Sequence, residues 1–130
     1  MRLIIADDSA EMRAIVRAAL RAEFPDAIEV EDGRQLFSAL LRANLVSGAA
    51  PPPELVLVVD VRMPVYSGLE VLDAWREADH PIPVVVITSF PDDAVRGEVA
   101  RLGAVLLPKP FSRATLQRVV GAAARRAHQH

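Results

Sequence analysis

Four apolar runs in this chain each stop on a polar residue of a chemically useful kind, and no other feature constrains the fold as much. RLIIA runs into Asp7-Asp8, LVLVVD ends on Asp60, PVVVIT on Thr88, and AVLLPK on Lys109. Short continuous apolar runs rich in β-branched residues suit parallel strands that are covered on both faces. Segments of helical period lie between them, so the pattern is one of repeated β-α units on one parallel sheet. Ligands of such sheets bind just past the carboxyl ends of the strands. Three carboxylates, one hydroxyl and one amine therefore converge on one edge, a set able to hold a divalent cation and a phosphoryl group.

Strands are expected at residues 2–6, 27–30, 55–60, 83–88 and 104–107. Glu29 interrupts the second, which places it toward an edge. Asp8-Ser9 with Glu11 is an N-terminal capping signature. Behind it Met12, Ile15, Val16, Ala19 and Leu20 form an apolar helical stripe, with Arg13, Arg17 and Arg21 on another face. Asp32-Gly33 opens a second helix with Leu36, Phe37, Leu40 and Leu41 on one side. Residues 44–53 read as a long loop, since Pro51, Pro52 and Pro53 forbid helix continuation. Gly68 precedes a third helix carrying Leu69, Leu72 and Trp75. Asp92-Asp93 caps a fourth that ends at Leu102-Gly103, and Ser112 caps a fifth with Leu116, Val119, Val120 and Ala123 inward. Five strands and five helices imply a doubly wound α/β sheet, with residues 1–130 as one domain.

Bulk properties narrow the function. A net charge of −2 and a pI near 5.9 give no electrostatic case for direct nucleic acid binding. No apolar stretch approaches the ~20 residues that span a bilayer, and the N-terminus opens into a strand rather than a signal peptide. A cytoplasmic protein without membrane attachment is expected. Cysteine is absent, which removes disulfides, thiol catalysis and thiolate metal sites.

Each polar residue also has a plain structural reading. Asp7-Asp8 would favour the dipole of the following helix, Thr88 suits a strand, and Lys109 could be a solvated cation. Asp60 is harder to explain so, because a carboxylate closing the most apolar run is costly to ionise unless paired. Aspartates at two neighbouring strand ends repel and raise each other's pKa. Mg²⁺ relieves that repulsion, and hard oxygen ligands suit it. Lys109 stands between Pro108 and Pro110 on a stiff backbone, well placed to neutralise phosphoryl oxygens.

With these residues in view, the chain resembles a response-regulator receiver domain over essentially its whole length. The motifs that carry the resemblance are Asp7-Asp8, the segment DVRMPVYSG from Asp60 to Gly68, Thr88-Ser89, and Lys109-Pro110-Phe111. It implies a flavodoxin-like sheet of strand order 2-1-3-4-5. It implies Asp60 as the phosphoacceptor, taking a phosphoryl group from a histidine kinase or histidine phosphotransfer protein and signalling through an output protein. Asp8, Asp60 and the backbone carbonyl of Arg62 would ligate Mg²⁺, or Mn²⁺ in its place, with Asp7 acting through bound water. Thr88 and Lys109 would each engage a phosphoryl oxygen, and the Lys109–Pro110 bond is expected to be cis. Such a protein is no turnover enzyme, only an acceptor that labels itself and slowly dephosphorylates.

The chain departs from the family pattern at Leu106, where most receivers carry Tyr or Phe three positions before the lysine. Leu106 is expected to pack in the core and to alter the coupling to Thr88. Arg62 and Phe90, each two residues beyond a site residue, would overhang the site. Two other functions fit these residues less well. A receiver acting without phosphorylation should have lost acids or the lysine, and none is lost. An aspartyl-phosphate phosphatase needs an acid two residues after its nucleophile, where this chain has Arg62. The terminal His128 and His130 are weak metal candidates, and because the chain ends with the fifth helix no output domain is expected.

Overall fold

The computed structural model describes residues 2–47, 55–76 and 82–128. Five strands form one parallel sheet: β1 Arg2–Ala6, β2 Ala27–Val30, β3 Leu55–Asp60, β4 Val84–Thr88 and β5 Val105–Pro108. Their order is β2-β1-β3-β4-β5. The expected topology is therefore present, with Glu29 on an edge strand. Four helices connect the strands, α1 Ala10–Leu20, α2 Gly33–Ser47, α3 Gly68–Arg76 and α4 Asp93–Arg101, and α5 Arg113–His128 follows β5.

Strand residues alternate between two apolar layers, as the twofold period of a pleated strand requires. Leu3, Ile5, Val56, Val58, Val85 and Ile87 pack with Val16 and Leu20 of α1 and Leu116 and Val120 of α5. Ile4, Ala6, Leu57, Val59 and Val86 face the other way, onto Leu36 and Leu40 of α2, Leu72 and Trp75 of α3, and Val99 of α4. All six residues of β3 are buried. A strand covered on both faces has no polar side, which accounts for the unbroken run LVLVV. It also leaves Asp60 at the one place where its carboxylate can leave the core.

Local chemistry sets the helix ends. The Ser9 hydroxyl accepts from the Met12 N–H at 3.1 Å, and the Asp92 carboxylate accepts from the Val95 N–H at 2.8 Å. Ser112 Oγ accepts from the Thr115 N–H at 3.0 Å. Each removes one unpaired donor from a first turn. Gly103, at φ 71°, takes the left-handed conformation that ends α4 and turns the chain into β5.

Several expectations need correction. Residues 44–47 continue α2, because no Pro or Gly interrupts the helix before Gly48. The rest of the expected loop, Pro51 to Pro53 included, lies outside the described residues, as do Gln129, His130 and the His128 side chain. Ile15 and Leu41 are 48% and 42% exposed, so the apolar stripes of α1 and α2 are narrower than the sequence suggests. At about 100° per residue, Ile15 lies at the margin of a face centred on Met12, Val16 and Ala19. Strand β4 starts one residue later than expected, and β5 is shifted one residue onward. Lys109 donates its N–H to the Thr88 carbonyl at 2.7 Å, carrying the ladder past Pro108, which a sheet edge tolerates.

Candidate functional site

Because the strands are parallel, their carboxyl ends share one edge of the sheet, and the candidate residues gather there. Asp7 follows β1, Asp60 closes β3, Thr88 closes β4 and Lys109 follows β5. One carboxylate oxygen from each of Asp7, Asp8 and Asp60 lies within 4.8 Å of the others. Asp7 and Asp60 are buried, whereas Asp8 faces solvent. The sequence-derived acidic cluster is thus a real juxtaposition. Three hard oxygen donors with one open side fit a divalent cation such as Mg²⁺.

The ammonium of Lys109 bridges the two buried acids. Its Nζ stands 2.9 Å from Asp7 Oδ2 and 3.4 Å from Asp60 Oδ2. A second hold on Asp7 comes from the Ser9 N–H, which donates to Oδ1 at 2.9 Å. One amine cannot fully offset two buried negative charges. The Asp60 carboxyl is accordingly pushed above the ordinary aspartate range, first by burial and then by the charge of Asp7. Lys109 and the backbone N–H of Arg62 pull it back only in part. Such a site gains from added positive charge. The Lys109–Pro110 peptide is cis, as expected.

Thr88 is buried, and its Oγ1 accepts from the Phe90 N–H at 3.0 Å. A hydroxyl has one proton to give as well as lone pairs to share, so Thr88 retains a donor for an incoming oxygen. Phe90 and Arg62 meet, the guanidinium carbon 4.4 Å from the ring centroid. The sequence places both at the rim but says nothing of their stacking, a contact between loops 28 residues apart. Leu106 is partly buried against the layer under α2, α3 and α4, as its apolar character predicts.

The turn after β3 is shaped by two close backbone approaches. A Cβ at Gly68 would run into the Asp60 carbonyl, and one at Gly33 into the Tyr66 carbonyl. Gly68 donates its N–H to the Val61 carbonyl at 3.0 Å. Glycine is required at both because no side chain fits between the segments. Between them Val65 adopts φ 72°, unusual for a β-branched residue.

Sequence reasoning missed Arg13, taken there as one of three arginines on a polar face. Its Nη1 donates to the Asp7 carbonyl at 2.8 Å and its Nε to Glu29 Oε1 at 3.2 Å. The available signal was the i, i+4 pair Arg13 and Arg17 opposite the lone acid of an edge strand.

Comparison with known proteins agrees with this geometry. The family model described as "Response regulator receiver domain" matches residues 3–121. Among curated proteins, the transcriptional regulatory protein CpxR of Escherichia coli is 29% identical over 98% of this chain and 50% of its own length. PrrA of Mycobacterium tuberculosis is 32% identical over 96% of this chain and 50% of its own. The chain thus spans about half the length of the curated relatives it matches. Among solved structures, the receiver domain of a LuxO repressor protein from Vibrio parahaemolyticus superposes with a TM-score of 0.83 at 24% identity. That match covers 98% of this chain and 92% of the other, and it bears on fold alone. The REC domain of AraT from Geobacillus stearothermophilus superposes at 0.78 with 29% identity, covering 98% and 95%.

Proposed function

This chain belongs to the response-regulator receiver family of two-component signalling, and on that premise we propose that Asp60 accepts a phosphoryl group from a histidine kinase or a histidine phosphotransfer protein. The single observation that carries this reading is the convergence of Asp7, Asp8 and Asp60 within 4.8 Å beside the Lys109 ammonium. Asp60 Oδ attacks phosphorus, the phosphorus–nitrogen bond of the phosphohistidine breaks, and its electron pair stays on the imidazole. Phosphoryl transfer asks for in-line positioning and compensation of charge on the equatorial oxygens. Lys109 supplies one positive charge, and Thr88 has a proton to donate to a phosphoryl oxygen. Asp8, Asp60 and the backbone carbonyl of Arg62 are the proposed ligands of Mg²⁺, or of Mn²⁺ in its place, with Asp7 in support. The cation would supply the remaining charge compensation there.

The domain acts as a switch rather than as a turnover enzyme. Its output runs through a partner protein and not through direct contact with nucleic acid. We take residues 1–130 as one receiver domain. Among the described residues no helix is long and apolar enough to cross a membrane, and a cytoplasmic location is proposed. Incubation with acetyl phosphate and Mg²⁺, followed by intact-mass measurement, tests the reading. Wild type should gain the mass of one phosphoryl group, and neither Asp60→Asn nor wild type with excess chelator should gain any. Equal labelling of Asp60→Asn would refute Asp60 as the acceptor.

A further inference from the structure

The carboxyl end of β1 carries a backbone acceptor that the sheet does not satisfy. Asp7 donates its N–H to the Val30 carbonyl at 3.1 Å. In a parallel ladder a strand residue directs its N–H and C=O toward the same neighbour, so the Asp7 carbonyl also faces β2. The next donor in register would be the N–H of Asp32. But β2 stops at Val30, and Asp32 has already turned to open α2, its Oδ1 accepting from the Gln35 N–H at 2.7 Å. The Asp7 carbonyl accepts instead from Arg13 Nη1 at 2.8 Å. Glu29 holds that guanidinium through Nε at 3.2 Å, while the other Glu29 oxygen binds Arg17 at 2.7 Å. The Arg13 side chain is only 15% exposed, in keeping with a fixed strut rather than a solvated cation.

We propose that Arg13 is a positioning residue for the acidic cluster. By replacing the missing sheet donor on the Asp7 carbonyl, it fixes the plane of the Asp7–Asp8 peptide. Two of the three cluster carboxylates hang from the ends of that peptide, so Arg13 sets the affinity of the cluster for a divalent cation. This inference rests on the metal reading above. The sign of the effect separates positioning from simple charge. A guanidinium acting only as a nearby charge repels a metal ion, so its removal would tighten binding. Loss of a strut loosens it, and outer partners that orient metal ligands are typically worth about 10–100-fold in affinity.

The test is a Mn²⁺ titration of the full chain followed by the electron paramagnetic resonance of the free ion, with metal-free thermal melts in parallel. Wild type should bind one ion. Arg13→Met should bind it about tenfold more weakly while still melting cooperatively, at a larger loss of thermal stability than Arg17→Met because the Asp7 carbonyl loses its donor. Arg17→Met removes the same charge from the same acid without touching Asp7, and should bind as wild type does. Arg13→Lys keeps the positive charge but lacks the planar fork that spans the Asp7 carbonyl and Glu29, and should weaken binding by a smaller factor. It serves as the deciding variant if Arg13→Met does not fold. Binding by Arg13→Met as tight as wild type or tighter overturns the inference and leaves the metal reading standing, as does unchanged binding by Arg13→Lys when Arg13→Met is unfolded. Absence of Mn²⁺ binding by wild type overturns both.

Discussion

At the end of β1, Asp7 is fully buried and tied by Lys109, the Ser9 N–H and Arg13, whereas across the site Val65, Tyr66 and Phe90 are 66%, 49% and 56% exposed. Both walls are made largely of loop, yet their physics differs. The β1 wall consists of partly buried, charge-assisted hydrogen bonds converging on a buried carboxylate, where each bond is strong and a missing partner is expensive. The wall formed by the loops after β3 and β4 presents large exposed side chains, and its Arg62 stacks on Phe90 in a cation–π contact, worth about 0.5–1 kcal/mol at an exposed site. The difference suggests a division of labour. On the proposed function, the fixed wall would set whether a phosphoryl group can be received, and the open rim how long it stays.

The largest expected effect comes from the fixed wall. Asp8→Ala should abolish labelling by acetyl phosphate and Mg²⁺ while the protein still melts cooperatively, with a midpoint no lower than wild type. Removing one of three neighbouring carboxylates relieves repulsion in the metal-free protein. Full labelling of Asp8→Ala would remove the metal assignment, and a collapsed melt would make the acid structural.

Next in size is the turn that joins the two walls. Gly68→Ala drives a methyl group into the Asp60 carbonyl, and overpacking of this kind costs about 1–3 kcal/mol. A lowered denaturant midpoint at unchanged slope is the expected result. An unchanged midpoint would mean that the turn yields easily and the rim is looser than its backbone contacts suggest.

A smaller effect is expected in pH dependence. Burial and Asp7 raise the Asp60 pKa in the folded state. A carboxyl raised in this way favours the folded state below its unfolded pKa, about 3.9, and that contribution is lost as pH rises through the folded value. Asp60→Asn removes the loss. The melting temperature of the variant should therefore match wild type near pH 3 and exceed it by a few degrees at neutral pH. A variant less stable than wild type at pH 7 would mean that the Lys109 contact outweighs burial and repulsion.

The fixed wall could be read from the sequence because strand ends are local features. LVLVV must be buried on both faces, so Asp60 has to emerge at its end, and the same reasoning places Thr88 and Lys109. Asp32-Gly33, Ser9 and Asp92 announce helix starts within a few residues, and all three do so here. What escaped was decided between segments distant in sequence. The bond from Arg13 to Asp7 depends on β2 ending two residues too early to satisfy a carbonyl, and no periodicity reports that. Ile15 and Leu41 are exposed because the width of an apolar stripe is set by what packs against it. Residues 44–47 stay helical because the breakers that suggested a loop come only after them. The stacking of Arg62 on Phe90 depends on two loops folding toward each other, although each residue alone had been placed at the rim.

The most direct measurement of the division of labour is the gain and decay of phosphoryl mass on wild type and on the Arg62→Asn/Phe90→Ala double variant, with Mg²⁺ saturating throughout. Labelling with acetyl phosphate is followed by removal of the donor, so that one time course reports both steps. On the proposed function, Arg62 would cover a phosphoryl oxygen and Phe90 would exclude water from the acyl phosphate. Decay should be slow in wild type, labelling of both proteins complete, and decay about tenfold faster in the double variant, equivalent to about 1.4 kcal/mol in barrier height; these outcomes test the division of labour. Equal decay rates, or a double variant that cannot be labelled, would contradict it.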